Sequence, residues 1–368
     1  MMKVFLFFFL FLACLNSKEW NTGDSDLSNK DKINRENEII NNILSECGGT
    51  GLTKLEIKEI VHFIENYLSN FIAYQEFYVD RKRTDLPCDI EYDPSTGFVF
   101  IHLDRFYSKP SKNKVLSKAI QYDIKNPKIV AVLTSQKPGL LEKEIEVLRQ
   151  LQGVSRTVQL VGAPVHSRNN QLVQKMILPF YVAGDLNLKM KLSVKEKIIL
   201  ATDLMEALKG AHDRGITHGD LHKGNLLLEE FTEAKQRGIR YRLVVIDWES
   251  SKTVEGFSYH KRKDLYRAAC TIYGLFHDEK YKGSLFARGD RFERIFADGL
   301  VKSDSKDLIL GEISKEITKR KKELDKRNKE KSVTLQEEFE WIILCMMHPT
   351  YQGNEDAEYW YNEFKKLM

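Results

Sequence analysis

Apolar positions along the chain follow two periods, and the order of those periods divides the sequence. Thr53 followed by Glu56 forms a capping box ahead of Ile57, Ile60, Val61, Ile64, Leu68 and Phe71, which share one helical face. From Gly97 the period becomes two, and the β-rich runs at 98–103, 114–122 and 128–134 predict three antiparallel strands. A helix fits 140–151, and further strands fit 158–161 and 174–178. Beyond Gly184 the pattern turns helical. Ser193 with Glu196 makes a second capping box, and Val194, Ile198, Ala201, Met205 and Leu208, spaced 4, 3, 4, 3, mark a helix that must end near Gly215. A polar loop follows, then a short apolar run at 226–228, a strand at 241–246, and helices over 264–276 and 334–347.

This order gives an α+β class: a β-rich lobe over 97–178 and a mainly helical lobe over 179–368, preceded by a polar leader and helical extension over 18–96. The leader proper, 18–35, is rich in Asn, Asp, Ser and Lys and reads as flexible. Residues 1–17 read as a signal peptide, with Lys3 ahead of an unbroken apolar run from Val4 to Leu15. That run is shorter than the roughly 20 residues a spanning helix needs, so no stable membrane span is expected in the mature chain. Export follows, to a secretory lumen or the exterior. Phe11-Leu12-Ala13-Cys14 is loosely similar to a bacterial lipoprotein box, which implies lipid anchoring through Cys14 as an alternative.

Composition changes this picture little. The 368 residues are 42% hydrophobic and 30% charged, enough for a sizeable core. Net charge is only +4, and the basic bias is local: residues 315–331 hold nine Lys or Arg against four Asp or Glu. A solvated helix or loop accounts for that segment, and no nucleic-acid partner is expected. Cys47, Cys88, Cys270 and Cys345 remain after cleavage; export permits disulfides, the spacing shows no metal pattern, and Cys270 and Cys345 fall in apolar helical stretches that favour buried thiols.

The candidate chemistry sits around the polar loop. Phosphoryl transfer needs a carboxylate near the acceptor hydroxyl and hard oxygen ligands for a metal that bridges the phosphates. Asp220 and Asn225, five apart on the loop, and Asp247 at the end of the following strand can supply these groups. The stretch His218-Gly219-Asp220-Leu221-His222-Lys223-Gly224-Asn225 resembles the catalytic loop of the protein kinase-like superfamily, and Ile246-Asp247-Trp248-Glu249 takes the place of its D-F-G. The resemblance covers residues 97–368 and implies a two-lobed kinase-like fold that uses ATP and Mg2+. By position it makes Asp220 the catalytic base, His218 the residue that buttresses the loop, and Asn225 and Asp247 the Mg2+ ligands. It also makes Asp264 the helix aspartate that holds the loop backbone.

The nucleotide-clamping half departs from the pattern. The strand Lys128-Ile129-Val130-Ala131-Val132-Leu133 resembles the family's V-A-I-K strand with Leu133 in place of the lysine, and Glu144 stands where the family's helix glutamate pairs with it. Residues 108–115, in the place of the glycine-rich loop, contain no glycine. Lys112 and Lys114, or else Lys118 or Lys137, would have to supply the missing charge. The segment around Phe180 and Val182 resembles the linker whose backbone meets adenine, with Asp185 as a ribose contact.

Three functions follow from the resemblance. The favoured one is an exported kinase acting on Ser or Thr of a protein. A second is a pseudokinase that serves as a binding scaffold or nucleotide-sensing switch. The third is a small-molecule kinase similar to the aminoglycoside and choline phosphotransferases, which His222 and Asp-Trp-Glu resemble; the 17 residues between Asp247 and Asp264 are also fewer than the activation segment of common protein kinases, and no A-P-E follows.

Overall fold

The computed structural model describes residues 29–46, 52–73, 77–79, 86–93, 96–109, 114–122, 126–135, 139–168, 171–181, 192–230, 240–253, 257–274, 333–347 and 356–368, with a few single positions between them. The protein is α+β and divides into two compact units, one drawn from residues 1–141 with 160–180, the other from 142–159 with 181–368. Among the described residues, no helix is long and apolar enough to cross a membrane. The expected signal run, Cys14 and Cys47, Lys112, Val182 and Asp185 lie outside the described residues.

Unit 1 begins with helices α1 (Asn29–Glu46) and α2 (Lys54–Ala73). The expected capping box starts α2: Thr53 N donates to Glu56 Oε2 at 2.7 Å, and Glu56 N donates to Thr53 Oγ1 at 3.2 Å. The strands are β1 (Phe77–Val79), β2 (Asp89–Asp93), β3 (Phe98–Lys109), β4 (Lys114–Tyr122), β5 (Lys128–Ser135), β6 (Val165–Arg168) and β7 (Gln171–Pro179). They form one antiparallel sheet in the order β1-β2-β3-β4-β5-β7-β6. Strand alternation gives the sheet two apolar faces. Ile90, Tyr92, Val99, Ile101, Ile120 and Tyr122 cluster with Ile39, Ile43, Ile57, Ile60 and Ile64 of α1 and α2. Phe100, Ala119, Val130, Val132 and Ile177 form the other cluster.

Several elements depart from the sequence expectations. Residues 29–35 belong to α1 rather than to a flexible leader, because Ile39, Ile40 and Ile43 give the polar segment a buried edge. Strand β2 went unread because its acids alternate as on a solvated face. Glu91 is in fact buried, with Oε2 2.6 Å from both Lys175 Nζ and His102 Nε2. Burial, then the Lys175 charge, lowers the His102 pKa against the pull of Glu91. No strand forms over 158–161; that stretch is flanked by isolated pairings of Thr157 with Val245 and Gly162 with Ile177.

Unit 2 opens with α3 (Glu142–Gln150) and continues with α4 (Val194–His212), β8 (Ile216–Thr217), β9 (Leu226–Glu230), β10 (Tyr241–Val245), β11 (Lys252–Thr253), α5 (Phe257–Gly274), α6 (Leu335–Met347) and α7 (Ala357–Lys365). Both parts of the expected Ser193–Glu196 capping box are formed at α4. Helix α5 begins at Phe257, seven residues before the start expected at 264, and α7, which packs on α4, has no counterpart in the sequence reading. Strands β9 and β10 pair antiparallel, as do β8 and β11. After α3 the chain runs alongside the end of β10: Val245 N donates to Arg156 O, and Val158 N to Val245 O, each at 2.9 Å.

A buried ion pair joins α4 to β10. Arg242 grips Asp203 at 2.6 to 3.0 Å, Leu243 N donates to the same carboxylate at 2.9 Å, and Arg156 stands 3.8 Å away. Burial raises the Asp203 pKa despite these partners. The carboxylate therefore depends on them for its compensation.

Candidate functional site

The loop between β8 and β9 is fixed at both ends and along its backbone. Gly215 ends the turn after α4 at φ +73°, and Gly219 sits at φ +79° with Ser250 O only 2.4 Å from where a Cβ would stand. Glycine is therefore required at 219 by conformation and by space. Asp264, fully buried on α5, accepts from His218 N at 2.7 Å and Gly219 N at 2.9 Å, and His212 Nε2 lies 3.2 Å from its Oδ2. Burial alone would raise the Asp264 pKa; the His212 hydrogen bond and charge, His218 and the Gly219 amide outweigh it and hold the carboxyl below its ordinary range.

His218 binds the loop to the strand that carries Asp247. Its Nε2 meets Ile246 O at 2.9 Å while its Nδ1 accepts from Asp220 N at 3.3 Å, a pair of contacts that requires the neutral ring with the proton on Nε2. Burial lowers its pKa, against the pull of Asp264, the Ile246 carbonyl and the carboxylates of Asp247 and Asp220, and so favours that neutral state. The ring also lies 4.7 Å from the Trp248 ring, which is fully buried.

Asn225 closes the loop. Its Nδ2 donates to Asp220 O at 2.9 Å, and Ile246 N donates to Asn225 O at 2.9 Å. With Nδ2 turned inward, Oδ1 is the amide atom left for a ligand. Asp247 follows at φ +61°, a left-handed conformation that an aspartate tolerates at a cost of order 1–3 kcal/mol. The Asp220 side chain is half exposed, with Oδ1 2.8 Å from Arg267 Nη1 and Oδ2 3.9 Å from His222 Nε2.

Helix α3 adds a third carboxylate. Glu144, buried in its first turn, offers an oxygen that lies within 4.8 Å of oxygens from Asp247 and Glu249. Lys143 Nζ, next to it, donates to Glu249 O at 2.8 Å and ties α3 to this segment. Carboxylate oxygens are hard donors of the kind a divalent cation takes, although acidic groups also gather without one.

Of the sequence-expected residues, His218, Asp220, Asn225, Asp247 and Glu144 belong to one unit, and the contacts above join the first four. Lys114 and Phe180 belong to the other unit. Lys114 opens β4 opposite Lys109 and Ser135, and Phe180 carries the Lys118 ammonium 4.5 Å from its ring centroid. Leu133 sits mid-strand, opposite Leu116 and Met176. Sequence reasoning missed Arg267, Glu249 and Lys143. Arg267 had a legible signal, since it stands one helical turn after Asp264. No family model matches the chain, and no curated protein matches it significantly.

Proposed function

We propose that this chain transfers the γ-phosphoryl group of Mg2+-bound ATP to a hydroxyl acceptor, as a divergent member of the kinase-like superfamily that its loop sequence resembles. The observation that carries the reading is the tie between two segments distant in sequence. Asn225 and His218 bind the loop bearing Asp220 to the strand end bearing Asp247, while Asp264 grips the loop amides. Phosphoryl transfer asks the protein for positioned charge more than for covalent chemistry.

Each residue then has a task. Asp220 orients the acceptor hydroxyl and takes its proton through a half-exposed carboxylate. Asp247 and the Asn225 amide oxygen would hold Mg2+, and Glu144 and Glu249 add negative charge beside Asp247. The metal would offset the charge on the phosphates. His218 stays neutral and buttresses the loop.

The acceptor we propose is Ser or Thr of a protein. The small-molecule alternative draws on His222 and Asp-Trp-Glu, and on a separation of 17 residues between Asp247 and Asp264, short for the activation segment of a common protein kinase. The pseudokinase alternative draws on Leu133, which is apolar where a phosphate-binding cation is expected. Purified chain with γ-labelled ATP and Mg2+, offered first a mixture of proteins and then a panel of amino sugars and amino alcohols, separates the three. Label in protein supports the proposal, label only in a small alcohol reassigns the acceptor, and label in neither sinks the enzyme reading. A thermal shift by ATP that needs Mg2+ and disappears in Asp247→Asn would then leave a nucleotide-binding switch.

A further inference from the structure

One helix holds Gly219 at both its N–H and its C=O, and so engages the peptide groups on either side of it. Asp264 of α5 accepts from Gly219 N at 2.9 Å, and Arg267, one turn later on the same face, donates through Nη1 to Gly219 O at 3.1 Å. The same Nη1 reaches Asp220 Oδ1 at 2.8 Å. The Arg267 side chain is 13% exposed and Asp220 is 50% exposed, so the cation is the anchored partner and the carboxylate the one presented to solvent.

We propose that Arg267 is a positioning residue for phosphoryl transfer, fixing the Asp220 carboxylate through Oδ1 so that Oδ2 remains to receive the acceptor proton. The assignment rests on the reading of Asp220 given above. An ordinary surface ion pair would do none of this, since exposed pairs contribute little and hold neither partner in place. Here one Nη1 engages a backbone carbonyl and a side-chain carboxylate of consecutive residues, which fixes the carboxylate relative to the loop. A charged hydrogen bond to a planar guanidinium is directional enough for that purpose.

The effect belongs on turnover. Arg267→Met is expected to lower kcat by roughly 100-fold, the scale of a small misplacement of a reacting group, with KM for ATP within about twofold of the parent. Arg267→Lys keeps the charge without the planar guanidinium and should retain about a tenth of the parent kcat. Added guanidinium at tens of millimolar should raise Arg267→Ala turnover by about tenfold, a rescue that a merely structural role does not produce. Parent-like kcat in Arg267→Met overturns the proposal.

Hydrogen exchange separates this failure from that of the underlying reading. The amides of His218 and Gly219 should exchange faster in Arg267→Met than in the parent chain or in Arg149→Met, whose parent residue pairs with Glu146 on the surface. Unchanged exchange overturns the clamp whether or not the chain transfers phosphate. Faster exchange in a chain with no turnover overturns the catalytic role together with the reading of Asp220, and leaves an architectural clamp.

Discussion

Asp264 and His218 illustrate how much of this loop depends on two buried titratable groups. Burial lowers the His218 pKa from its ordinary 6.5, and the same holds for His102 in unit 1. A histidine whose folded pKa lies below its unfolded value binds protons better when unfolded. Its full contribution to stability therefore stands above about pH 6.5 and is lost as pH falls toward the folded value, by at most about 1.4 kcal/mol per pH unit per group. Asp264, held below its ordinary 3.8, acts in the same direction at lower pH: its contribution is present above 3.8 and is lost as pH falls through the folded pKa. Tm should accordingly fall between pH 7 and pH 5, and His218→Gln should flatten part of that slope. An equal slope in both proteins would contradict the buried neutral ring.

Gly219 and Asp203 test the loop and its support. Gly219→Ala must place a Cβ 2.4 Å from Ser250 O in a backbone conformation that alanine rarely adopts, so a loss of about 1–3 kcal/mol is expected from urea unfolding. Arg242→Met leaves the Asp203 carboxylate buried with much of its compensation removed and should cost about 3–5 kcal/mol. An Arg242→Met chain as stable as the parent would mean that the carboxylate reaches water. Cys270 stands apart from this chemistry, because burial pushes its thiol up to about 12 and leaves it an inert core side chain.

At the scale of elements, the sequence was legible where one physical signal dominated. Capping boxes marked the starts of α2 and α4, and period-two runs marked β3, β4 and β5, because each pattern follows from local geometry. Strand β2 was opaque because its buried Glu91 is satisfied by Lys175 and His102, which lie 84 and 11 residues away in the chain. Only the folded sheet brings those partners together. Helix α1 was hidden for the opposite reason: three isoleucines carry its burial inside a polar stretch. The candidate loop could be read from residue types, whereas the grip of Arg267 on it depends on the phase of α5. The cover that α1 and α2 give the sheet has its own test. Ile60→Ala removes a side chain that is 1% exposed and should cost about 2–5 kcal/mol by calorimetry, with a negligible cost contradicting the packing of α2 on β2, β3 and β4.

Within unit 2 of the molecule, polar contacts link α3 to the end of β10, the end of β10 to the β8–β9 loop, and that loop to α5. Glu144 and Lys143 come from α3, Asp220 and Asn225 from the loop, Asp247 and Glu249 from the end of β10, and Asp264 and Arg267 from α5. Such convergence costs backbone strain at Asp247 and the burial of several charges, a pattern that functional sites tolerate and plain cores avoid. Single-turnover release of ADP from Mg2+-bound ATP in the presence of an acceptor measures whether these groups transfer phosphate, as proposed. The proposal predicts measurable turnover in the parent chain, a loss of at least about 100-fold in Asp220→Asn with ATP binding retained, and loss of both binding and turnover in Asp247→Asn. Turnover that survives Asp220→Asn unchanged, or its absence from the parent chain under every acceptor offered, would contradict it.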